Sequence, residues 1–277
     1  MDHKITPLGT EIKIGNDFNL KNTFDCGQCF RWNENSDGSF SGIVQGKYTK
    51  IYRKDNTIIL ENTTSEDFNR LWKDYFDLDN DYNRIRSELA TICPALQCAI
   101  DSIDGIRILR QDPWETLCSF IISQNNNIPR IKGIISRFCE HFGKPNQNVF
   151  SFPSPDTVAV LNVDDLAPLR AGFRARYIID AAQKIASGTV ELHKMYDAPI
   201  SECRKELMTI TGVGAKVAEC TLLYGLHRLD AFPIDVWMQK AMSTLFKEVD
   251  IASLGPHAGI AQQYMFHYSR LHPEMVR

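Results

Sequence analysis

The chain has 277 residues, of which 43% are hydrophobic and 23% charged, proportions that suit a folded globular protein and exclude a disordered or collagen-like one. A formal net charge of −3 excludes a protein coated in basic charge, so any nucleic-acid contact must come from a local patch. No apolar run is long enough to span a membrane.

The opening sequence MDHKITPLGTEIKIG lacks the apolar core of a secretory leader. The eight cysteines (Cys26, Cys29, Cys93, Cys98, Cys118, Cys139, Cys203 and Cys220) are therefore expected to be reduced thiols inside a cell, in the cytoplasm if the cell is bacterial. Cys26-Gly27-Gln28-Cys29 resembles half a zinc site. No second pair follows at zinc spacing, and no cysteine follows Cys220, so neither a zinc site nor an iron–sulfur loop is expected. The first 100 residues carry 15 acidic and 12 basic side chains and the rest carry 19 of each, which places a basic patch in the second part.

Short β-rich pieces at 30–32, 39–44, 48–53 and 57–61 are separated by the turn pairs Asp37-Gly38, Gln45-Gly46 and Asp55-Asn56, which predicts an antiparallel sheet built from hairpins. After Thr64 the period changes. Phe68, Leu71, Trp72 and Tyr75 share one helical face. Asp112-Pro113-Trp114-Glu115 combines an N-cap, a first-turn proline and a capping-box glutamate, and opens a helix to about 123. Asn127-Ile128-Pro129 opens another that Gly143 closes, and Ser154-Pro155-Asp156 starts a short one. Helices are further predicted at 173–187, 201–210, 215–226, 235–246 and 256–271. The expected class is α+β. An antiparallel β-sheet domain with flanking helices covers 1–100, and a mainly α-helical body covers 101–277, with two helices and their connecting turn at about 201–226.

That turn holds the most informative residues, Gly212-Val213-Gly214 followed by Lys216. Glycines there permit positive φ and leave the backbone bare, and the free N–H groups of the next helix form an anion site suited to a DNA phosphate. A tight helix–helix turn is the plainer reading. A dinucleotide fingerprint is not, because no strand precedes the turn and no third glycine follows. The helix dipole disfavours a cation at Lys216, and with burial would favour the neutral amine that a Schiff-base nucleophile needs. The alternative is a solvated lysine near a phosphate. Asp235, after Ala231-Phe232-Pro233-Ile234, opens the next helix and reads either as a plain N-cap or as a fixed carboxylate at a cleft.

The hairpin, the lysine after it and the later Pro-x-Asp resemble the helix-hairpin-helix DNA glycosylase superfamily, and within it the 8-oxoguanine DNA glycosylase family, from Gly27 to about Phe266. The resemblance implies that Lys216 attacks the anomeric carbon and that Asp235 stabilises the sugar cation. Gly27-Gln28-Cys29-Phe30-Arg31-Trp32 matches a family motif whose glycine carbonyl accepts N7–H, the proton that 8-oxoguanine has and guanine lacks, which implies that role for Gly27. Asn125-Asn126-Asn127-Ile128-Pro129-Arg130 matches a second motif. It implies that Asn125 fills the gap left by a flipped base and that Arg130, with Arg174, holds the orphaned cytosine. Phe173 falls at the wedge position. Gln262 and Phe266 match the residues that bind and stack on the base, and Cys220 the opposite wall.

Three positions depart from the family pattern: Trp237 in place of a histidine, Ile210-Thr211 in place of Leu-Pro, and Phe173 in place of a tyrosine. The implied activity is excision of 8-oxoguanine from duplex DNA, preferably opposite cytosine, with β-elimination by a monomer. It needs no redox cofactor or catalytic metal, and has at most a structural alkali or alkaline-earth ion at the hairpin carbonyls. A glycosylase for alkylated purines and a non-enzymatic DNA-gripping module are the competing readings. By pattern alone Phe266 and Cys220 read as core, Gln262 as surface, and Arg174 with Arg176 as a solvated helix start.

Overall fold

A computed structural model of the chain describes residues 3–15, 17–146 and 149–276. The extreme residues of the two expected domains, 1–2 and 277, lie outside the described residues. The N-terminal sheet is antiparallel, in the order β1-β2-β6-β5-β4-β3. Its strands are β1 (His3–Thr6), β2 (Gly9–Lys13), β3 (Trp32–Glu34), β4 (Phe40–Val44), β5 (Lys47–Lys54) and β6 (Thr57–Glu61). The last three lie within a residue of the predicted pieces. Gln45 and Gly46 both adopt positive φ, as the two-residue hairpin between Val44 and Lys47 requires. β1 and β2 were not anticipated. They are short and carry Lys4, Glu11 and Lys13, so no clear alternation marks them, and β2 gains its place by pairing with β6.

The predicted helix starts hold. Asp112, Asn127 and Ser154 each accept a hydrogen bond from the backbone three residues on. The helix of the Phe68–Tyr75 stripe contains a π-helical stretch, Phe68–Trp72, between α-helical turns.

Two hydrophobic cores result. One gathers the sheet with Phe18, Phe24, Phe68, Trp72 and Phe76, and ends at Leu78 apart from Leu109. The other runs from Tyr82 to Val276 and also takes in Cys26 and Phe30. The two cores change over at about residue 80, inside the expected 1–100 domain. Helices Tyr82–Ala90 and Pro94–Ser102 bury Tyr82, Ile85, Leu96 and Ile100 in the helical core, and the second packs on Ala258–Leu271. Cys26 and Phe30 carry the loop after helix Leu20–Phe24 across to the helical core, and this crossing positions the candidate site.

Candidate active site and DNA face

Helix Ala215–Tyr224 begins at Gly214, which caps it without a side chain, and places Lys216 in its first turn. Helix Val236–Thr244 begins at Asp235, whose Oδ1 accepts the Met238 N–H at 2.7 Å. Asp235 is therefore an N-cap, and it also faces a cleft. Lys216, Asp235, Gly27, Cys220, Gln262 and Phe266 all line one narrow slot, with a cavity volume of about 40 Å³, together with Cys26, Phe120, Tyr224 and Pro233. Every catalytic and base-binding residue inferred from sequence is thus brought to one place. Lys216 and Asp235 are each only half-buried and form no ion pair with one another among the described residues.

Two acceptors in this slot lack donors. Gln262 is 4% exposed; its Nε2 donates to the Pro233 carbonyl at 3.0 Å, while its buried Oε1 has no partner. Gly27 (φ +85) has a carbonyl to which nothing donates among the described residues. A buried acceptor without a donor is costly, which makes Gln262 Oε1 a candidate for a ligand that brings N–H groups, and the half-buried Gly27 offers a second free carbonyl beside it. The Phe266 ring stands near Gly27: a Cβ there would lie 3.8 Å from its Cε1. Cys220 forms another wall. Burial pushes its thiol up to about 11 against the opposing pull of the Lys216 ammonium, so the wall is uncharged.

Four residues that sequence reasoning missed hold this arrangement. The Lys216 ammonium sits 4.6 Å from the centre of the Phe120 ring, and that ring stacks on Tyr224. The Tyr224 hydroxyl donates to Gln263 Oε1, and Gln263 Nε2 donates to the Cys26 carbonyl at 2.9 Å, beside Gly27. Gln28 donates to the Thr23 and Arg107 carbonyls and accepts from the Leu109 N–H, which ties the Gly27 loop to the start of the helical body. The only signal for these was a second glutamine beside Gln262 and a glutamine inside the glycine motif. Trp237 is not in the slot: its indole N–H donates to Ser269, whose hydroxyl donates to the Phe266 carbonyl.

The hairpin joins helix Ile200–Leu207 to Ala215–Tyr224. Gly212 (φ +80) makes the turn. Gly214 has an ordinary φ of −96, and an added Cβ would meet nothing within 4 Å, so the fold itself does not demand glycine there. The departure at Thr211 also has a structural use: its N–H donates to Asp180 at 2.7 Å, a bond that a proline could not make.

Asn125 is exposed and left-handed (φ +47), Arg130 is exposed, and Phe173 keeps 49% of its surface in solvent. These sit as the sequence suggested. Arg174 does not. It is 3% exposed, and its guanidinium turns inward onto the carbonyls of Gln124, Asn125 and Ala171. The solvated helix start that pattern alone gave for Arg174 is therefore not what the structure has: its guanidinium donates to three neighbouring carbonyls.

Residues 12–117 match the family model described as 8-oxoguanine DNA glycosylase, N-terminal domain, and residues 118–251 that of the HhH-GPD superfamily base excision DNA repair protein. The structure of MBOgg1 in complex with a low-affinity DNA ligand superposes with a TM-score of 0.92 at 42% identity, covering 99% of this chain and 100% of that one. The 8-oxoguanine glycosylase/lyase of Clostridium acetobutylicum, bound to double-stranded DNA with cytosine opposite 8-oxoG, gives 0.91 at 36% identity, covering 99% of each chain. N-glycosylase/DNA lyase OGG1 of Arabidopsis thaliana is 28% identical over 281 residues, 95% of this chain and 77% of that protein.

Proposed function

This chain belongs to the 8-oxoguanine glycosylase family of the HhH-GPD superfamily, and we propose that it excises 8-oxoguanine from duplex DNA and then nicks the strand. One observation carries the substrate: two unpartnered acceptors, the Gly27 carbonyl and Gln262 Oε1, share a slot with an amine and a carboxylate. 8-Oxoguanine presents N–H groups on both of its edges. N7–H answers Gly27, and N1–H with the exocyclic amine answers Gln262. Guanine offers no proton at N7 and would leave the Gly27 carbonyl buried and unpaired, a penalty of about 1–3 kcal/mol.

The base has to leave the stack to reach this slot. Asn125 and Phe173, both at the surface, enter the vacated space and wedge the duplex. The bare backbone at Gly214 and the free N–H groups after it receive a phosphate. Phe266 shifts from Gly27 to admit the base, which then lies between Phe266 and the Cys220 wall. Lys216 Nζ attacks C1′ as the C1′–N9 bond breaks, and the departing base takes the bonding pair and a proton. Asp235, fixed by its N-cap bond, stabilises the positive charge that builds on the sugar. The C1′ adduct opens to a Schiff base on Lys216. Loss of the 2′ proton then expels the 3′ phosphate.

The remaining features belong to the same reading. All the residues named come from a single chain, which supports action as a monomer. The eight cysteines are free, which supports a reducing compartment such as the cytoplasm. No described helix is long and apolar enough to cross a membrane. The hairpin carbonyls of Thr211, Gly212 and Val213 receive no hydrogen bond among the described residues, an oxygen set that fits a hard alkali or alkaline-earth ion in a structural role.

Borohydride trapping on an 8-oxoguanine:cytosine duplex tests the function. The wild type should form a covalent adduct and Lys216→Gln none. Equal release of 3-methyladenine and 8-oxoguanine would reject the substrate assignment, and full trapping by Lys216→Gln would reject the nucleophile.

A further inference from the structure

We propose that Asp180 is a positioning residue for the DNA grip: by holding the Thr211 N–H it locks the hairpin to the helix that carries Phe173, a constraint that a proline at position 211 would otherwise supply. The inference deepens the proposed function and rests on it. The hairpin backbone shows why a constraint is needed. The Ile210 N–H donates to the Leu207 carbonyl and the Val213 N–H to the Ile210 carbonyl, which leaves the Thr211 N–H between them without a backbone acceptor among the described residues. Proline in that place would have no N–H to satisfy and would hold φ at about −65° by its ring. Threonine brings both the N–H and a freer φ. Asp180 Oδ2 answers the first and restrains the second with one bond of 2.7 Å, from 31 residues earlier in the chain.

The bond belongs to a stripe on helix Arg174–Ala186. Tyr177, Asp180 and Lys184 stand at i, i+3 and i+7, on one helical face. They meet the turn in order. Tyr177 packs on Gly212, where a Cβ would come within 2.3 Å of its ring, Asp180 takes the Thr211 N–H, and Lys184 Nζ donates to the Thr209 carbonyl at 2.6 Å. Phe173 opens the same helix, so whatever fixes that helix to the hairpin also sets the spacing between Phe173 and the phosphate site at Gly214.

Charge alone argues against an aspartate here, because a carboxylate close to a turn that receives a phosphate opposes DNA. Lys184 Nζ lies 2.9 Å from Asp180 Oδ2 and neutralises it. Burial pushes the carboxyl toward its neutral form, but the Thr211 N–H and Lys184 outweigh this and hold it below the usual carboxylate range. A charged acceptor bonds an N–H more strongly than a neutral one, and the paired lysine keeps that strength without presenting net negative charge to the duplex. The ion pair therefore serves the bond to the hairpin and not a contact with DNA.

Anisotropy titration of a labelled 8-oxoguanine:cytosine duplex between about 50 and 200 mM salt tests the role. Asp180→Ala should bind about tenfold more weakly, and the slope of log Kd against log salt should shrink by about 0.9, the share of one phosphate. Asp180→Asn keeps an oxygen for the Thr211 N–H and should stay within about threefold of wild type. In a Thr211→Pro background, removing Asp180 should change affinity by less than about twofold, because the bond no longer exists. Partial unfolding lowers apparent affinity without altering the slope, so a merely stabilising Asp180 is told apart from a positioning one. Tighter binding by Asp180→Ala, weaker binding at an unchanged slope, or a full tenfold loss in the proline background would overturn the proposal. If the wild type gave no borohydride-trapped adduct with the lesion duplex, the functional reading would fall, while the salt slope would still decide whether Asp180 seats the hairpin on DNA.

Discussion

The ring of Tyr177 lies so close to Gly212 that a Cβ on the glycine would come within 2.3 Å of it. Phe173 rests edge-on against that same ring at 5.7 Å, so Phe173 is braced on the hairpin through Tyr177. Gly212→Ala therefore meets both a steric conflict and a positive φ, and should cost about 1–3 kcal/mol in urea unfolding and weaken duplex binding. Gly214→Ala is the informative contrast. Its φ is ordinary and its Cβ has open space, so stability should stay within about 0.5 kcal/mol of wild type. Affinity for duplex DNA should nonetheless drop, because the methyl group would stand where a phosphate approaches. Unchanged binding by Gly214→Ala would refute that approach.

Lys216, Asp235, the slot-lining Gly27, Cys220, Gln262 and Phe266, and the exposed Asn125 and Phe173 were singled out in sequence through the family resemblance; local pattern alone gave the turn glycines, the caps and the helices, and read Phe266 and Cys220 as core. Gln263, Gln28, Phe120 and Glu219 were not legible, because their roles depend on partners far away in the chain. Gln263 bonds a carbonyl 237 residues distant. Arg174 shows the same limit in reverse. Its place after Gly172-Phe173 suggested an exposed helix start, but the turn at Gln124 and Asn125 lies 50 residues earlier and folds onto it. The strands β1 and β2 escaped notice because their stability comes from pairing and not from pattern.

Glu219 links the lysine helix to the aspartate. One carboxylate oxygen pairs with Arg204 on the first hairpin helix, and the other accepts the Phe232 N–H at 2.8 Å, three residues before Asp235. Glu219→Ala should loosen the segment that delivers Asp235 while leaving Lys216 in place. Base excision is expected to slow by about ten- to a hundredfold. β-elimination from a preformed abasic site, which needs the lysine, should fall much less. Equal losses in both steps would show that Glu219 supports the whole hairpin and not the aspartate.

Acid should weaken the junction between the two cores. Asp77 is buried and receives hydrogen bonds from Asn80, Tyr82 and Arg110, and its Oδ2 lies 3.2 Å from His227 Nε2, just past the lysine helix. Burial pushes the carboxyl toward its neutral form, but His227, Asn80 and Arg110 outweigh this and hold it well below the usual carboxylate range. With the folded value depressed, its stabilising contribution is complete above the unfolded value and is lost as pH falls below about 4. The urea midpoint should therefore drop steeply from pH 5 to pH 3. Asp77→Asn should lose about 3–5 kcal/mol at pH 7 and show a shallower acid limb. An equally steep acid limb in Asp77→Asn would place the titration elsewhere.

Recognition of the lesion should depend on Gln263 as well as Gln262, though only Gln262 lines the slot. Gln263 is fully buried and holds the Cys26 carbonyl, so the adjacent Gly27 carbonyl is left as the free acceptor in a fixed loop. Gln263→Leu removes that tether and leaves the Tyr224 hydroxyl and the Cys26 carbonyl competing for other partners, at a cost of about 1–3 kcal/mol in stability. The sharper readout is discrimination. Gln263→Leu should bind an uncleavable 8-oxoguanine duplex more weakly while binding a guanine duplex as the wild type does, so the ratio of the two affinities narrows by about tenfold. Gln263→Glu, which retains an oxygen for Tyr224 but loses the amide donor to Cys26, should behave like Gln263→Leu in this ratio. Wild-type discrimination in both variants would mean that the Gly27 loop is held by Gln28 alone.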